Sequence, residues 1–326
     1  MNFANNVESI SDCIQRAKQS EQQGDRDRAL SLYQRALELD DRNLDAYQGL
    51  GSLYFVEQDY DLAFESYIQA VKINPDVSAL HLHLGQIAAA QGRLDDACAS
   101  YTYAAQLDPE DFRPYQALGS AQFLQKDFQA AERNHTKAIE LGSQAPRVSF
   151  QLGRIAQERQ QHDRAIAHLK KAIALSDTNA AFYAALGTSY LEQKEPALAI
   201  EAYQQAVALN LENSRFHQLL GDAEFAQSNL SKAKNSYEQA IALGIQAPWV
   251  YFKLGRIAQV QNNSEEAIMW YERAIALNPD NPRFHYHLGD IRNQRSDVEE
   301  ARASYEKVLA LNPNHESALK SLQALT

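Results

Sequence analysis

The chain has 326 residues, and its 31 Lys+Arg against 42 Asp+Glu leave a net charge of −11. That balance excludes a general nucleic-acid binder, whose affinity rests on many Lys/Arg–phosphate contacts, and 45% hydrophobic with 22% charged residues exclude wholesale disorder. Two cysteines, Cys13 and Cys98, exclude a disulfide framework and a Cys-rich zinc site.

The first residues, Met1 to Ser11, have neither a basic start nor an apolar core, so they do not read as a secretory signal. No stretch approaches 18 consecutive apolar residues, and no membrane insertion is expected. The expected address is a reducing cytoplasm with both thiols free. Residues 1–9 are read as a lead-in.

A period then takes over. Glycines fall at Gly51, Gly85, Gly119, Gly153, Gly187, Gly221, Gly255 and Gly289, every step being 34 residues, and each follows a leucine, from Leu50 to Leu288. Twelve residues after each glycine stands alanine, from Ala63 to Ala301, with Ala29 extending the column backwards. Four residues on is tyrosine at Tyr33, Tyr67, Tyr101, Tyr203, Tyr237, Tyr271 and Tyr305, with His135 and Leu169 as exceptions. A further small residue follows, from Ala36 to Ala274, then Val308. The registers give nine units: 10–43, 44–77, 78–111, 112–145, 146–179, 180–213, 214–247, 248–281 and 282–315.

Each unit reads as two amphipathic helices. In 44–77, Tyr47, Leu50, Gly51 and Tyr54 recur at i, i+3, i+4 and i+7 on one helix face. A polar break follows at Glu57-Gln58-Asp59, and Ala63, Tyr67 and Ala70 mark a second helix that stops at Asn74-Pro75. The small residues let two helix backbones approach closely, and Tyr67 fills the space beside them.

Tyr47-x2-Leu50-Gly51-x2-Tyr54, Ala63-x3-Tyr67, Ala70 and Pro75 make the chain resemble the tetratricopeptide repeat family over roughly residues 10–315, with tyrosine for tryptophan at the first place. The resemblance implies an all-α, right-handed α-solenoid superhelix of about nine helix-turn-helix repeats. The first helix of each repeat would line a concave groove.

The ends differ from the middle. The first unit carries Cys13, Arg16 and Ala17 in the aromatic, leucine and glycine columns, as a cap with one face to water would. Ala318, Leu319, Leu322 and Leu325 predict a capping helix over 316–326. Between them a longer period appears. Gln144-Ala145-Pro146 and Phe150-x-Leu152-Gly153-Arg154 recur 102 residues later as Gln246-Ala247-Pro248 and Phe252-x-Leu254-Gly255-Arg256. Gly142 and Gly244 predict helix stops, and the prolines helix starts. Duplication of three repeats explains the recurrence; two equivalent sites is the sharper alternative.

No histidine or carboxylate falls in a catalytic spacing, so no enzyme activity and no cofactor are expected. His81-x-His83 and His285-x-His287 look like metal pairs, but residues i and i+2 on a helix diverge. His81, His217 and His285 share the column of Tyr47 and read as packing groups.

The groove is where function is expected. Arg147, Phe150 and Arg154 follow one helix face, with Trp249, Phe252 and Arg256 as equivalents. Arg113, Arg215 and Arg283 share the place of Arg147, and Tyr286 that of Phe150. Arginine pairs bidentately with carboxylates and aromatics give rigid apolar contact, which suits a protein or peptide ligand with acidic and apolar groups. The competing expectation is an ion-pair ladder, Asp222–Arg256–Asp290, between adjacent units. Family relatives narrow the ligand. The carboxylate clamp of co-chaperones needs an asparagine after Lys18 on successive first helices, and none follows. The asparagine ladder of sugar-transferring arms is replaced by Gln15, Gly49, His83, Ala117, Gln151, Ala185, Leu219, Lys253 and His287.

The leading expectation is a non-enzymatic scaffold binding a protein or peptide in the groove. The alternative is the substrate-recruiting arm of a larger glycosyl- or sulfo-transferase whose catalytic domain is not in this chain. Self-association through exposed terminal repeats is a third.

Overall fold

The computed structural model describes residues 9–325; the lead-in up to residue 8 and Thr326 lie outside them. The described residues form nineteen helices and no strand. They divide into two compact units between Arg159 and Gln160. The first holds α1 (Ile10–Gln23), α2 (Arg26–Leu39), α3 (Leu44–Val56), α4 (Tyr60–Ile73), α5 (Ser78–Ala90), α6 (Leu94–Leu107), α7 (Phe112–Leu124), α8 (Phe128–Glu140) and α9 (Pro146–Glu158). The second holds α10 (His162–Leu175), α11 (Ala180–Glu192), α12 (Pro196–Leu209), α13 (Ser214–Ala226), α14 (Leu230–Ala242), α15 (Pro248–Val260), α16 (Ser264–Leu277), α17 (Pro282–Gln294), α18 (Val298–Leu311) and α19 (Glu316–Gln323).

Helix starts follow capping chemistry. Ser9 and Asp12 form a reciprocal capping box at α1, and the side chains of Asp25, Asn43, Asp59, Asp127 and Asn213 accept from first-turn amides of the helices they precede. The turn inside each pair has a second, less legible rule. Gly24, Gln58, Gly92, Lys126, Gln160, Lys194, Ser228, Asn262 and Ser296, all 34 residues apart, adopt positive φ. Only two of them are glycine, so this left-handed column was invisible in residue types.

The repeat core is a glycine–ring contact. A Cβ on Gly51, Gly85, Gly187, Gly255 or Gly289 would lie 2.5–2.7 Å from the ring of Tyr67, Tyr101, Tyr203, Tyr271 or Tyr305. The glycine therefore makes room for the tyrosine sixteen residues on, while the alanines between them, such as Ala63 and Ala267, are fully buried in the same layer. In the first pair Ala17 occupies the glycine column, and the Tyr33 ring sits instead against Gly49 of α3.

Polar contacts join successive pairs within each unit. Gln91 Nε2 donates to Asp61 Oδ1 (3.3 Å) and Gln125 Nε2 to Asp95 Oδ1 (2.7 Å) in the first; Gln193 Nε2 donates to Asp163 Oδ1 (2.6 Å) in the second. The histidine column is packing, with an added task. His81, His217 and His285 place Nε2 at 2.7–2.9 Å from the carbonyls of Pro75, Leu211 and Pro279, tying down the turn six residues back. The two Gly–Pro turns are as expected: Gly142 and Gly244 have φ of 98° and 89°, and Pro146 and Pro248 open α9 and α15. At the far end α19 buries Ala318 against the Tyr305–Val308 cluster.

Candidate functional site

The candidate residues lie on odd-numbered helices. In the second unit, α15 carries Trp249, Phe252 and Arg256, and α17 carries Arg283 and Tyr286. The structure brings Arg283, Trp249 and Phe252 together. The Arg283 guanidinium lies 5.6 Å from the Trp249 ring centroid and 5.2 Å from that of Phe252. Trp249 meets Phe252 and Phe284 edge-on at 5.4 and 5.0 Å, and remains 42% exposed. Arg283 is exposed and Arg256 half-buried.

Phe252 departs from the expected placement. It is 3% exposed, held between Phe284 and Tyr271, so its ring is part of the core beneath Trp249 rather than a contact surface. The physical reason is the ring layer: Gly255 draws Tyr271 inward, and Phe252 closes the space next to it. Tyr286 is half-buried, stacked on His315 at 5.2 Å.

The ladder Asp222–Arg256–Asp290 does not form. Asp222 is taken by Lys253 Nζ at 2.5 Å and by the Tyr237 hydroxyl at 2.8 Å, and Asp290 accepts from the Tyr305 hydroxyl at 2.9 Å. Lys253 stands one turn before Arg256 on α15 and its ammonium reaches the Asp222 carboxylate; the sequence pattern placed it only in the asparagine column. Arg256 is left with no hydrogen bond or ion pair among the described residues. Its neighbour His287 is driven down to a pKa of about 4 by burial, then by the charges of Arg256 and Arg283. At neutral pH the cations of this patch are therefore the two arginines.

In the first unit Arg147, Phe150 and Arg154 lie on α9, with Arg147 exposed and the other two half-buried. Neither Arg147 nor Arg154 has a hydrogen bond or ion pair among the described residues. Arg113 of α7 is occupied differently. It folds back onto Asp111, donating from Nε at 2.9 Å and pairing through Nη2 at 2.8 Å. Although burial pushes the Asp111 carboxyl upward, these bonds hold it below its ordinary range. Arg215 of α13, in the second unit, donates to Gln218 Oε1 at 2.8 Å. The expected co-chaperone lysine, Lys18, pairs with Asp45 at 3.6 Å.

No described helix is long and apolar enough to cross a membrane. A comparison with curated proteins returned no match. Among solved structures, the pilF protein of Pseudomonas aeruginosa is 19% identical with a TM-score of 0.55, covering 67% of this chain and 97% of its own. A tetratricopeptide repeat protein from Parabacteroides merdae is 15% identical with a TM-score of 0.53, covering 75% of this chain and 97% of its own. The APC/C hetero-tetramer Cut9–Hcn1 is 17% identical with a TM-score of 0.51 over 99% of this chain, which spans 64% of that one. These likenesses concern the fold alone. The profile of the tetratricopeptide repeat family matches residues 16–76, 58–112, 117–180, 184–248 and 252–316. With every helix pair matched in whole or in part, the chain belongs to the tetratricopeptide repeat family, whose arrays are scaffolds for protein–protein interaction.

Proposed function

We propose that the chain is a non-enzymatic scaffold that binds a protein or peptide along the face of its odd-numbered helices, the groove of the family. The observation that carries this reading is Arg256: its two candidate aspartates are consumed by other groups, and it stands unpaired two turns along α15 from the exposed Trp249, acting with Arg283 on His287. An arginine without an acceptor on the same helix face as a rigid ring fits a ligand carboxylate flanked by apolar surface. Arg147 and Arg154 on α9 offer a second, separate patch of the same chemistry. Arg113, Arg215 and Tyr286, each already engaged inside the chain, are proposed as flanking contacts, and Phe252 as support for Trp249.

The test is affinity capture from native lysate, wild type against an Arg154→Ala/Arg256→Ala double variant, followed by titration of the captured ligand. The double variant is expected to lose roughly 2–5 kcal/mol of affinity, the cost of truncating one side of a charge pair, with the melting temperature unmoved. Binding should weaken with added salt. A ligand whose affinity ignores both the substitutions and the salt removes this face from consideration.

A further inference from the structure

The unit 248–281 concentrates rare residues. It holds both tryptophans of the chain, Trp249 and Trp270, and Met269, the one methionine besides Met1. Trp249 belongs to the odd-helix face described above. Met269 and Trp270 lie on α16, on the opposite side of the pair, and nothing in the proposed function uses them.

They line a pocket of about 460 Å³ between α14, α15 and α16, with Ile241, Tyr251, Glu272, Arg273 and Ala276. This is the size and lining of a site for a small apolar group with a few polar contacts. Tyr251, the floor, tilts against Trp270 at 5.9 Å between ring centroids. Met269 stands at the rim, 49% exposed, where an unbranched thioether can adapt to an entering ring. The pocket lies beside the Gly244 turn, where α14 stops at Ala242 and the chain closes with Ile245 N–H donating to Ala240 O at 3.0 Å.

The charges around it are unevenly used. Glu272 is paired with Arg292 at 2.8 Å. Glu266 accepts from Lys234 Nζ at 2.6 Å and from Trp270 Nε1 at 3.2 Å. The lining carboxylate, Glu272, and the carboxylate that holds Trp270, Glu266, are thus each paired with a cation outside the lining. Arg273 is exposed, rests over the Tyr251 ring at 5.9 Å and has no carboxylate partner among the described residues. A largely apolar cavity whose one lining carboxylate is held by Arg292, and whose guanidinium has no carboxylate partner among the described residues, is complementary to an apolar group carrying a negative neighbour.

We propose that the pocket of Tyr251, Met269 and Trp270 docks a segment of a partner protein that presents an aromatic side chain next to a carboxylate, the ring entering under Met269 and the carboxylate meeting Arg273. The site is on the other side of the helix pair from Arg256 and Trp249, so one repeat can hold two ligands.

The experiment uses the full chain with Trp249→Phe, which leaves Trp270 as the sole tryptophan fluorophore. The probe is a blocked tetrapeptide of alanine, phenylalanine, aspartate and alanine; its asparagine counterpart is the comparison. The aspartate peptide should give a saturable change in Trp270 emission. The asparagine peptide, and Arg273→Gln with the aspartate peptide, should bind at least about five-fold more weakly, the loss of one charge-assisted contact. Ala276→Phe, which fills the cavity from an exposed position, should abolish the change. Arg256→Ala on the other face should leave it intact. The proposal falls if the aspartate peptide gives no saturable change, if the two peptides bind alike, or if Arg256→Ala removes the signal. Melting curves of Arg273→Gln and Ala276→Phe establish that both remain folded, and either alone suffices for the comparison.

Discussion

Lys253 of α15 reaches back to Asp222 of α13, Nζ to Oδ1 at 2.5 Å, while the Tyr237 hydroxyl holds the same carboxylate oxygen at 2.8 Å. Both charged side chains are about a quarter exposed, and the ammonium also lies 5.8 Å from the Phe225 ring centroid and 5.9 Å from that of Tyr237. One carboxylate therefore ties together three helices of two successive pairs, and by accepting these donors it leaves Arg256 without a carboxylate partner among the described residues.

Removing the acceptor should cost more than removing the donor. Asp222→Ala strands the Tyr237 hydroxyl and the ammonium together, and should destabilise by about 1–3 kcal/mol, the range for a part-buried polar group left without its partner. Lys253→Met keeps the stem packed on Phe225 and leaves Asp222 its tyrosine donor, so its effect should be smaller. Denaturant titration of the two single variants and the double closes the cycle. Equal costs would mean that the hydroxyl contributes nothing.

The architecture was legible because its main constraint is a residue type at a fixed interval: only glycine fits beneath a tyrosine ring, and a Cβ on Gly255 would lie 2.5 Å from the Tyr271 ring. The pairing of charges was not. Position along a helix told that Asp222, Arg256 and Asp290 share a column, but partner choice depends on side-chain reach between helices, and Lys253 reached first. Burial of Phe252 was likewise hidden, because its neighbours Phe284 and Tyr271 come from other helices. The pocket at Met269 had one sequence signal, the gathering of rare large residues in 248–281, which a search for charged groove residues passes over.

Gly255→Ala should be costly although alanine is the better helix former. Its Cβ would sit 2.5 Å from the Tyr271 ring, and the ring is fully buried with no room to retreat. Overpacking of this kind costs about 1–3 kcal/mol. Adding Tyr271→Leu relieves the clash, so the double variant should lose less than the sum of the singles. Thermal melts that show strict additivity would refute the contact.

The left-handed column carries the opposite expectation. Lys194 has φ of 62°, a conformation that L side chains adopt at a cost, whereas Gly24 and Gly92 occupy the same turn freely. Lys194→Gly relieves that strain but frees the unfolded chain, and the balance should be a stabilisation of about 0.5–1 kcal/mol. A melting temperature that falls would show that the lysine side chain makes a compensating contact.

His135 supplies the pH prediction. It takes the tyrosine place in its repeat, fully buried, with Nδ1 2.7 Å from where a Cβ on Gly119 would lie. Neither ring nitrogen is in good hydrogen-bond geometry with a partner; the Gln151 side chain lies close enough to favour the charged ring, the smallest of the influences on it. Burial, then the charge of Arg147 arriving from α9, lowers its pKa to about 4. In the unfolded chain the ordinary value of 6.5 applies, so between pH 6.5 and about 4 the unfolded state binds more protons and stability falls as pH falls. The contribution is intact above 6.5 and gone below the folded value. The gap corresponds to roughly 3 kcal/mol. His287, lowered by burial and by Arg256 and Arg283, adds in the same direction. His135→Tyr restores the residue that the column carries elsewhere and cannot be protonated. Carboxylates contribute to acid loss in both proteins, so the readout is the difference between them: the melting temperatures of wild type and variant, followed from pH 7 to pH 4, should diverge steadily as the pH drops. Parallel curves would mean that the buried ring takes up its proton without cost, through a partner that the neutral structure does not hold.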